Sequence, residues 1–79
     1  MFVDSFMIDR DVLADHINKS NVSLTTLYKI AEYMDHKYGE DEIDINGASR
    51  EETCLELGIL FAQYPQGVAQ VNKKFGTKF

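Results

Sequence analysis

The chain has 79 residues, of which 44% are hydrophobic and 27% are charged, and its formal net charge at pH 7 is −5. This length predicts one small domain, because so short a chain cannot build two hydrophobic cores. The single cysteine, Cys54, excludes an internal disulfide, and the negative net charge disfavours binding to nucleic-acid phosphates, which requires a footprint of Lys and Arg.

The first eight residues contain an apolar cluster that includes Phe2 and Phe6. Their spacing does not decide between an extension of the following helix and an extended arm. The segment lacks the basic start of a signal peptide, and no run in the chain approaches the roughly 18 apolar residues of a membrane-spanning helix. We therefore expect a cytoplasmic protein with no membrane partner.

Residues 9–19 predict helix 1. Val12, Leu13 and Ile17 recur at helical spacing, so we expect them to face the core. Asp9 is a suitable N-cap, and the aspartates in the first turns are favoured by the positive end of the helix dipole.

The segment from Ser23 to Gly39 predicts helix 2, with Gly39 as its C-terminal stop. Apolar residues at positions i, i+3, i+4 and i+7 would form its buried face: Leu24, Leu27, Tyr28, Ala31, Met34 and Tyr38. The opposite face is expected to lie in solvent and carries Thr25, Thr26, Lys29, Glu32, Asp35 and His36.

Between helices 2 and 3 lies the acidic segment EDEIDING, whose acids are Glu40, Asp41, Glu42 and Asp44. Its Asn46 and Gly47 form a strong turn signal, because both residue types tolerate positive φ. We predict an acidic turn.

The same stretch resembles the loop of EF-hand calcium-binding proteins when Glu42 is placed first, since acid, amide and glycine then fall at the third, fifth and sixth positions. The twelfth position, which needs a bidentate carboxylate, is Thr53, and the ninth is the cation Arg50. An EF-hand-like calcium-binding module is therefore the second alternative.

Ser49 and Glu52 form a capping box that predicts helix 3 from Arg50 to about Gln63. Within TCLELGILFAQ only Glu56 is charged, so this helix is apolar nearly all round. Such a helix is central to a bundle or is buried by another chain. Gly58 would let a neighbouring backbone come close.

Pro65 suits the first turn of helix 4, and Val68, Val71 and Phe75 would share one side. Gly76 is the expected stop, and the last three residues form a basic, aromatic tail. The predicted fold class is therefore all-α, a small three- to four-helix bundle with an acidic turn between helices 2 and 3.

No arrangement of residues in the sequence predicts catalysis, a cofactor or a metal. Glu32 and His36 have the spacing of a helical metal pair, but two ligands do not make a site, and we expect both in solvent. Cys54 has apolar neighbours and is expected to be buried and inert rather than a nucleophile. We therefore predict that the protein is not an enzyme.

The stretch VSLTTLYKIAEYMD resembles the segment that follows the recognition helix in small repressors of the helix-turn-helix class, which has the form SLxTLxKIA. The resemblance implies a small DNA-binding regulator, and in this chain DNA binding would rest on Lys73, Lys74 and Lys78. In that family about three helices precede this segment, whereas here only some 22 residues with a net charge of −2 precede it and leave no room for a recognition helix. A helix-turn-helix-like regulator is the first alternative, and nucleic acid is an unlikely partner.

The apolar surface predicted from the sequence exceeds what a thin bundle easily hides, and large exposed apolar patches usually mark interaction sites. We predict that apolar side chains supply affinity and that acids steer encounter with a basic surface. The predicted partner-binding residues are Leu57, Ile59, Leu60, Phe61, Phe2, Phe6, Asp35, Glu40, Asp41, Glu42 and Asp44.

The predicted function is therefore that of a non-catalytic protein–protein interaction protein. Small acidic chains without catalytic motifs are typical of phage-encoded or accessory regulators, and we expect one that binds and modulates a larger host protein complex, for instance as an inhibitor. Self-association into a homo-oligomer is the other way in which the apolar surface could be covered.

Overall fold

The computed structural model describes residues 10–39 and 47–79. These residues form four helices and no strand: α1 (Arg10–Asn18), α2 (Leu24–Tyr38), α3 (Arg50–Gln63) and α4 (Gln66–Phe75). The predicted all-α fold class is confirmed. The predictions for the N-terminal apolar cluster, the Asp9 cap and the acidic turn fall on residues 1–9 and 40–46, outside the described part of the chain.

Helix α3 is the centre of the bundle, because it packs against each of the other three helices. It begins and ends where the sequence predicted. The capping box is present: the Ser49 hydroxyl accepts a hydrogen bond from the Glu52 amide at 3.1 Å, and the Glu52 carboxylate accepts one from the Ser49 amide at 3.0 Å. Two amides that the helix itself cannot satisfy thereby gain partners.

Helices α1 and α3 meet backbone to backbone at Gly58. A Cβ atom placed on this glycine would lie 2.6 Å from the carbonyl oxygen of Arg10 and 3.1 Å from the amide nitrogen of Ala14. No side chain fits between the two helices at this point, so the predicted close approach is confirmed.

The predicted buried face of α1 is partly wrong. Val12 is 63% exposed, whereas Ala14 and Ile17 are buried and Leu13 is half-buried. The reason is the contact at Gly58, which turns the small Ala14 towards α3 and thereby places Val12, about 160° away around the helix, on the outside.

Helix α2 also buries more than one stripe, because it packs against both α3 and α4. Ile30, which the sequence did not assign to the core, is fully buried. Asp35, which was expected in solvent, is only 7% exposed, and its Oδ1 lies against the backbone at Gly39, where a Cβ atom would be 2.5 Å away. The predicted ends of α2 are confirmed, and Ser23 caps it by accepting from the Thr26 amide at 3.2 Å.

A single guanidinium joins α3 to the C-terminal end of α1. Arg50 donates to the carbonyl oxygens of Asn18 (3.1 Å from Nη2), Ser20 (3.0 Å) and Val22 (2.8 Å), and its Nε donates to Oδ1 of Asn18 at 2.9 Å. These carbonyls belong to the end of α1 and to the connection that leads to α2, where no intrahelical donor is available. The sequence alone does not indicate this role for Arg50.

Helix α4 ends at Gly76, whose φ of 70° is the left-handed conformation that favours glycine. After this stop the tail folds back. Oδ1 of Asn72 accepts hydrogen bonds from the Thr77 hydroxyl and from the Phe79 amide, both at 2.8 Å. The Phe79 ring packs against the buried ring of Phe61, with 5.7 Å between the ring centroids.

We predict that Arg50→Ala lowers the free energy of unfolding by about 3 kcal/mol, because several carbonyl groups in a partly buried position lose their donor. Arg50→Lys should lose nearly as much, since an ammonium cannot reach divergent acceptors as the planar guanidinium does. Urea denaturation followed by circular dichroism measures both. Arg10→Ala, at an exposed position, is the control and should change stability by less than about 0.5 kcal/mol.

We also predict that Gly58→Ala destabilises the fold by about 2 kcal/mol, although alanine is the better helix former by about 1 kcal/mol. The new methyl group would meet backbone atoms of α1, which cannot move without separating the helices. Gly67→Ala should lose less, because there the methyl group meets the flexible end of Met34 at 2.7 Å and the ring of Tyr38 at 2.8 Å. Equal stability losses in the two variants would contradict this account.

Candidate functional site

Most of the apolar residues of α3 that were predicted to bind a partner lie in the core of the structure. Leu57, Leu60 and Phe61 are 0%, 4% and 2% exposed. They cannot contact a partner while the chain is folded, so their assignment to a partner-binding surface is corrected. The physical reason is that α3 is enclosed by the other helices of its own chain. Ile59 is half-buried.

The assignment of Asp35 to the acidic part of the predicted binding surface is also corrected. Asp35 is buried, so it cannot steer the encounter with a partner. The other predicted partner-binding residues lie outside the described part of the chain: Phe2, Phe6, Glu40, Asp41, Glu42 and Asp44.

Two large apolar side chains are exposed in the described ranges, Val12 and the 43%-exposed Leu55. Leu55 lies at the rim of a shallow pocket of about 230 Å³ between α1 and α3. Asp15 and Glu51 also line this pocket, which gives it an acidic rim. No hydrophobic face of the size of a protein interface results from these residues alone.

A larger open groove, of about 660 Å³, lies on another side of the bundle. Its walls are the end of α1, the connection to α2, the first turn of α2, the end of α4 and the tail. The residues that line it are His16, Lys19, Ser20, Asn21, Val22, Ser23, Thr26, Phe75, Gly76, Thr77, Lys78 and Phe79. We call this the α1–α4 groove.

The α1–α4 groove has a basic and aromatic lining. It holds the side chains of Lys19, Lys78 and His16, and no acidic residue is among the described residues that line it. Phe75 and Phe79 supply its aromatic surface. Lys19 forms an exposed ion pair with Asp15 at 2.9 Å, which contributes little to stability in water.

The hydroxyl groups in the groove are held by local structure. Ser20 donates to the carbonyl oxygen of Ile17 at 2.5 Å, and Ser23 donates to the Thr26 hydroxyl at 3.0 Å while it caps α2. Thr77 donates to Asn72. The imidazole of His16 makes an edge contact with the Phe79 ring, with 6.4 Å between centroids. The described lining therefore offers surface for binding and shows no hydroxyl paired with a base.

A second basic and aromatic cluster adjoins the groove through Phe75. The Phe75 ring meets the Tyr33 ring edge to face, with 5.8 Å between centroids. The ammonium groups of Lys37 and Lys74 lie 5.5 and 5.6 Å from the centre of the Tyr33 ring, at the distance of a cation–π contact. Lys37 also donates to the Tyr33 hydroxyl at 3.3 Å, and this hydrogen bond raises the pKa of Lys37.

Sequence reasoning missed the groove because its walls come from segments some fifty residues apart in the chain. One signal was present: after Glu56 the sequence contains no acid, while three lysines and three phenylalanines follow. That signal indicated a basic, aromatic C-terminal region but not what it would face.

Cys54 is buried, as predicted, with 1% of its surface exposed, and this burial raises the pKa of its thiol. Glu32 and His36 are both on the exposed side of α2. Within residues 10–39 and 47–79, no three His, Cys, Asp or Glu side chains come together in a way that could hold a metal ion. None of the helices in these ranges is long and apolar enough to cross a bilayer.

The side chains at two positions of the EF-hand alignment form hydrogen bonds within the helix bundle. Thr53, at the twelfth position, is fully buried and its hydroxyl donates to the carbonyl oxygen of Ser49 at 2.8 Å. Arg50, at the ninth, is held by the carbonyls at the end of α1. A buried threonine hydroxyl and an engaged guanidinium do not supply the oxygen ligands that these two loop positions need.

We predict that calcium at about 1 mM leaves the melting temperature unchanged, because the twelfth loop position lacks the carboxylate that calcium binding needs. A ligand that binds only the folded state would raise the melting temperature. Differential scanning fluorimetry with and without a chelator measures this. Magnesium at the same concentration controls for general divalent effects. An upward shift specific to calcium would restore the EF-hand alternative.

The helix-turn-helix resemblance falls on α2, which packs in the core between α3 and α4. In the described part of the chain one helix, α1, precedes it. The set of preceding helices that the resemblance implies therefore has no counterpart in these residues.

Comparison with known proteins gives no relative to draw on: no protein-family model matches the sequence. Searches of curated proteins and of solved structures also find no match. The α1–α4 groove and its surroundings are therefore the basis on which a function can be proposed.

Proposed function

We propose that this protein is a non-catalytic protein-binding module, and that the α1–α4 groove is the surface that engages another protein or a second copy of the same chain. The observation that carries the proposal is the combination of an open groove of about 660 Å³ with a lining of fixed aromatic rings and lysines. Binding sites in proteins commonly have volumes of roughly 300–1,000 Å³.

The character of the lining supports binding rather than catalysis. The serine and threonine hydroxyls are used in capping and turn contacts, and the side chains of the described lining residues include one imidazole and no carboxylate or thiol. General acid–base or nucleophilic chemistry needs paired groups within hydrogen-bonding distance.

The open shape favours an extended segment of a macromolecule over a small enclosed ligand. Aromatic residues supply much of the contact energy in protein interfaces, and polar groups at the rim orient the partner. The small size and the negative net charge of the chain favour an accessory or phage-type regulator that acts in the cytoplasm on a larger complex. That setting is part of the proposal.

To test the proposal we would fill the groove with one bulky side chain. Asn21→Trp places an indole at a lining position that is exposed and outside any helix. Gln70→Trp makes the same addition at an exposed position of α4 that is not among the lining residues, and serves as the matched control. Both variants should fold, because neither position is buried.

We expect Asn21→Trp to lose the partner that the wild-type chain and Gln70→Trp retain. Affinity capture from cells that make the protein identifies a hetero-partner, and analytical ultracentrifugation over a range of concentrations detects self-association. A wild-type chain that stays monomeric, together with identical captured proteins for all three chains, would rule out the groove as the binding surface.

A further inference from the structure

The α1–α4 groove and the neighbouring Tyr33 cluster, which consists of Tyr33, Lys37, Lys74 and Phe75, carry positive charge. The chain as a whole has a net charge of −5. Lys19 and Lys78 line the groove, and Lys37 and Lys74 flank the Tyr33 ring next to it. No acid is among the described residues that line the groove; Asp15 lies beside it, paired with Lys19, and Glu51 lines the pocket between α1 and α3. Positive charge is therefore concentrated where the concave aromatic surface is.

The lysines on this side are available to an external anion. Lys19 is paired with Asp15, and both side chains are more than half exposed. In the described part of the chain, Lys74 and Lys78 form no ion pair with a carboxylate. An incoming carboxylate would thus displace water or one weak surface pair rather than break a buried network.

The aromatic walls are already in place. Phe75 is held by the ring of Tyr33, and Phe79 is held by the ring of Phe61 and by its amide bond to Asn72. Side chains that are fixed before binding lose little conformational entropy when the partner arrives. Both rings are only partly buried, so each retains surface that a partner can cover.

We propose that the occupant of the α1–α4 groove is an acidic peptide segment of a partner protein that carries one large apolar anchor residue. The anchor packs against Phe75 and Phe79, and the flanking carboxylates lie near Lys19 and Lys78. This inference rests on the proposed function and adds the chemistry of the partner.

Two observations favour an acidic peptide over single-stranded nucleic acid. Nucleic-acid grooves present free aromatic faces on which successive bases stack, whereas the Tyr33 ring already has two ammonium groups near it. A net charge of −5 also opposes a polyanion of many phosphates, while a few carboxylates need only a few lysines.

The probe is a synthetic fluorescein-labelled peptide of about ten residues with several glutamates around a central phenylalanine, titrated with the full chain and followed by fluorescence anisotropy. We expect saturable binding with a dissociation constant below about 1 mM. The affinity should fall with added salt, because exposed charges are screened. It should also fall when the peptide's phenylalanine becomes alanine or its glutamates become glutamines.

Charge reversal locates the binding. Lys78→Glu should weaken the peptide about tenfold, and Arg10→Glu, which changes the net charge equally but lies outside the groove lining, should weaken it less than about twofold. Thermal unfolding of each variant checks that the fold is kept. Amide chemical shifts from nuclear magnetic resonance should change at Thr26, Phe75 and Thr77, which line the groove.

Three results would overturn the inference: equal affinity for the glutamine analogue, equal losses in Lys78→Glu and Arg10→Glu, or tighter binding of a ten-residue oligothymidylate than of the acidic peptide. If Asn21→Trp still abolishes self-association or capture of a partner while no acidic peptide binds, the groove remains the binding surface and only the acidic occupant is wrong. If neither effect occurs, both proposals fail.

Discussion

The fold depends on the contact between the Arg50 guanidinium and the carbonyl groups at the end of α1. Helix α1 has nine residues, and a helix of that length is not stable in water without tertiary support. Arg50 supplies that support at the C-terminal end of α1, where backbone acceptors have no partner of their own, and it does so from the first residue of the central helix. The same contact fixes the connection between α1 and α2.

That connection is also one wall of the α1–α4 groove. The carbonyls of Ser20 and Val22 point to Arg50, and the side chains of the same two residues line the groove. The other wall is the end of α4 with its tail, which is anchored on the core through Phe61. The structure thus links the stability of the core to the shape of the surface that we propose for binding.

Much of the fold could be predicted from local sequence signals. The capping box at Ser49, the N-cap at Ser23 and the glycine stops at Gly39 and Gly76 act over three or four residues, so both ends of α2, the start of α3 and the end of α4 follow from the sequence. The glycine at position 58 was also informative, because a glycine within an apolar helix indicates a close contact.

The remaining features depend on tertiary contacts that periodicity cannot reveal. Which side of α1 is buried follows from where Gly58 meets it, so Val12 was assigned to the wrong face. The apolar surface of α3 at Leu57 and Leu60 was attributed to a partner because the sequence does not show how completely three neighbouring helices enclose it. The groove brings together residues from both ends of the described chain, and no short sequence motif predicts that they lie close together.

The side chain of Asn72 determines where the C-terminal tail, one wall of the groove, lies. One amide oxygen accepts both hydrogen bonds that fold the tail back, so the position of Phe79 depends on these two bonds together with the packing of its ring on Phe61. Segments held in this way open locally at a much smaller free energy than the whole domain. Under the proposed function, the affinity for a partner therefore includes the fraction of chains whose tail is closed, and a substitution at Asn72, which does not line the groove, would change the affinity through that fraction.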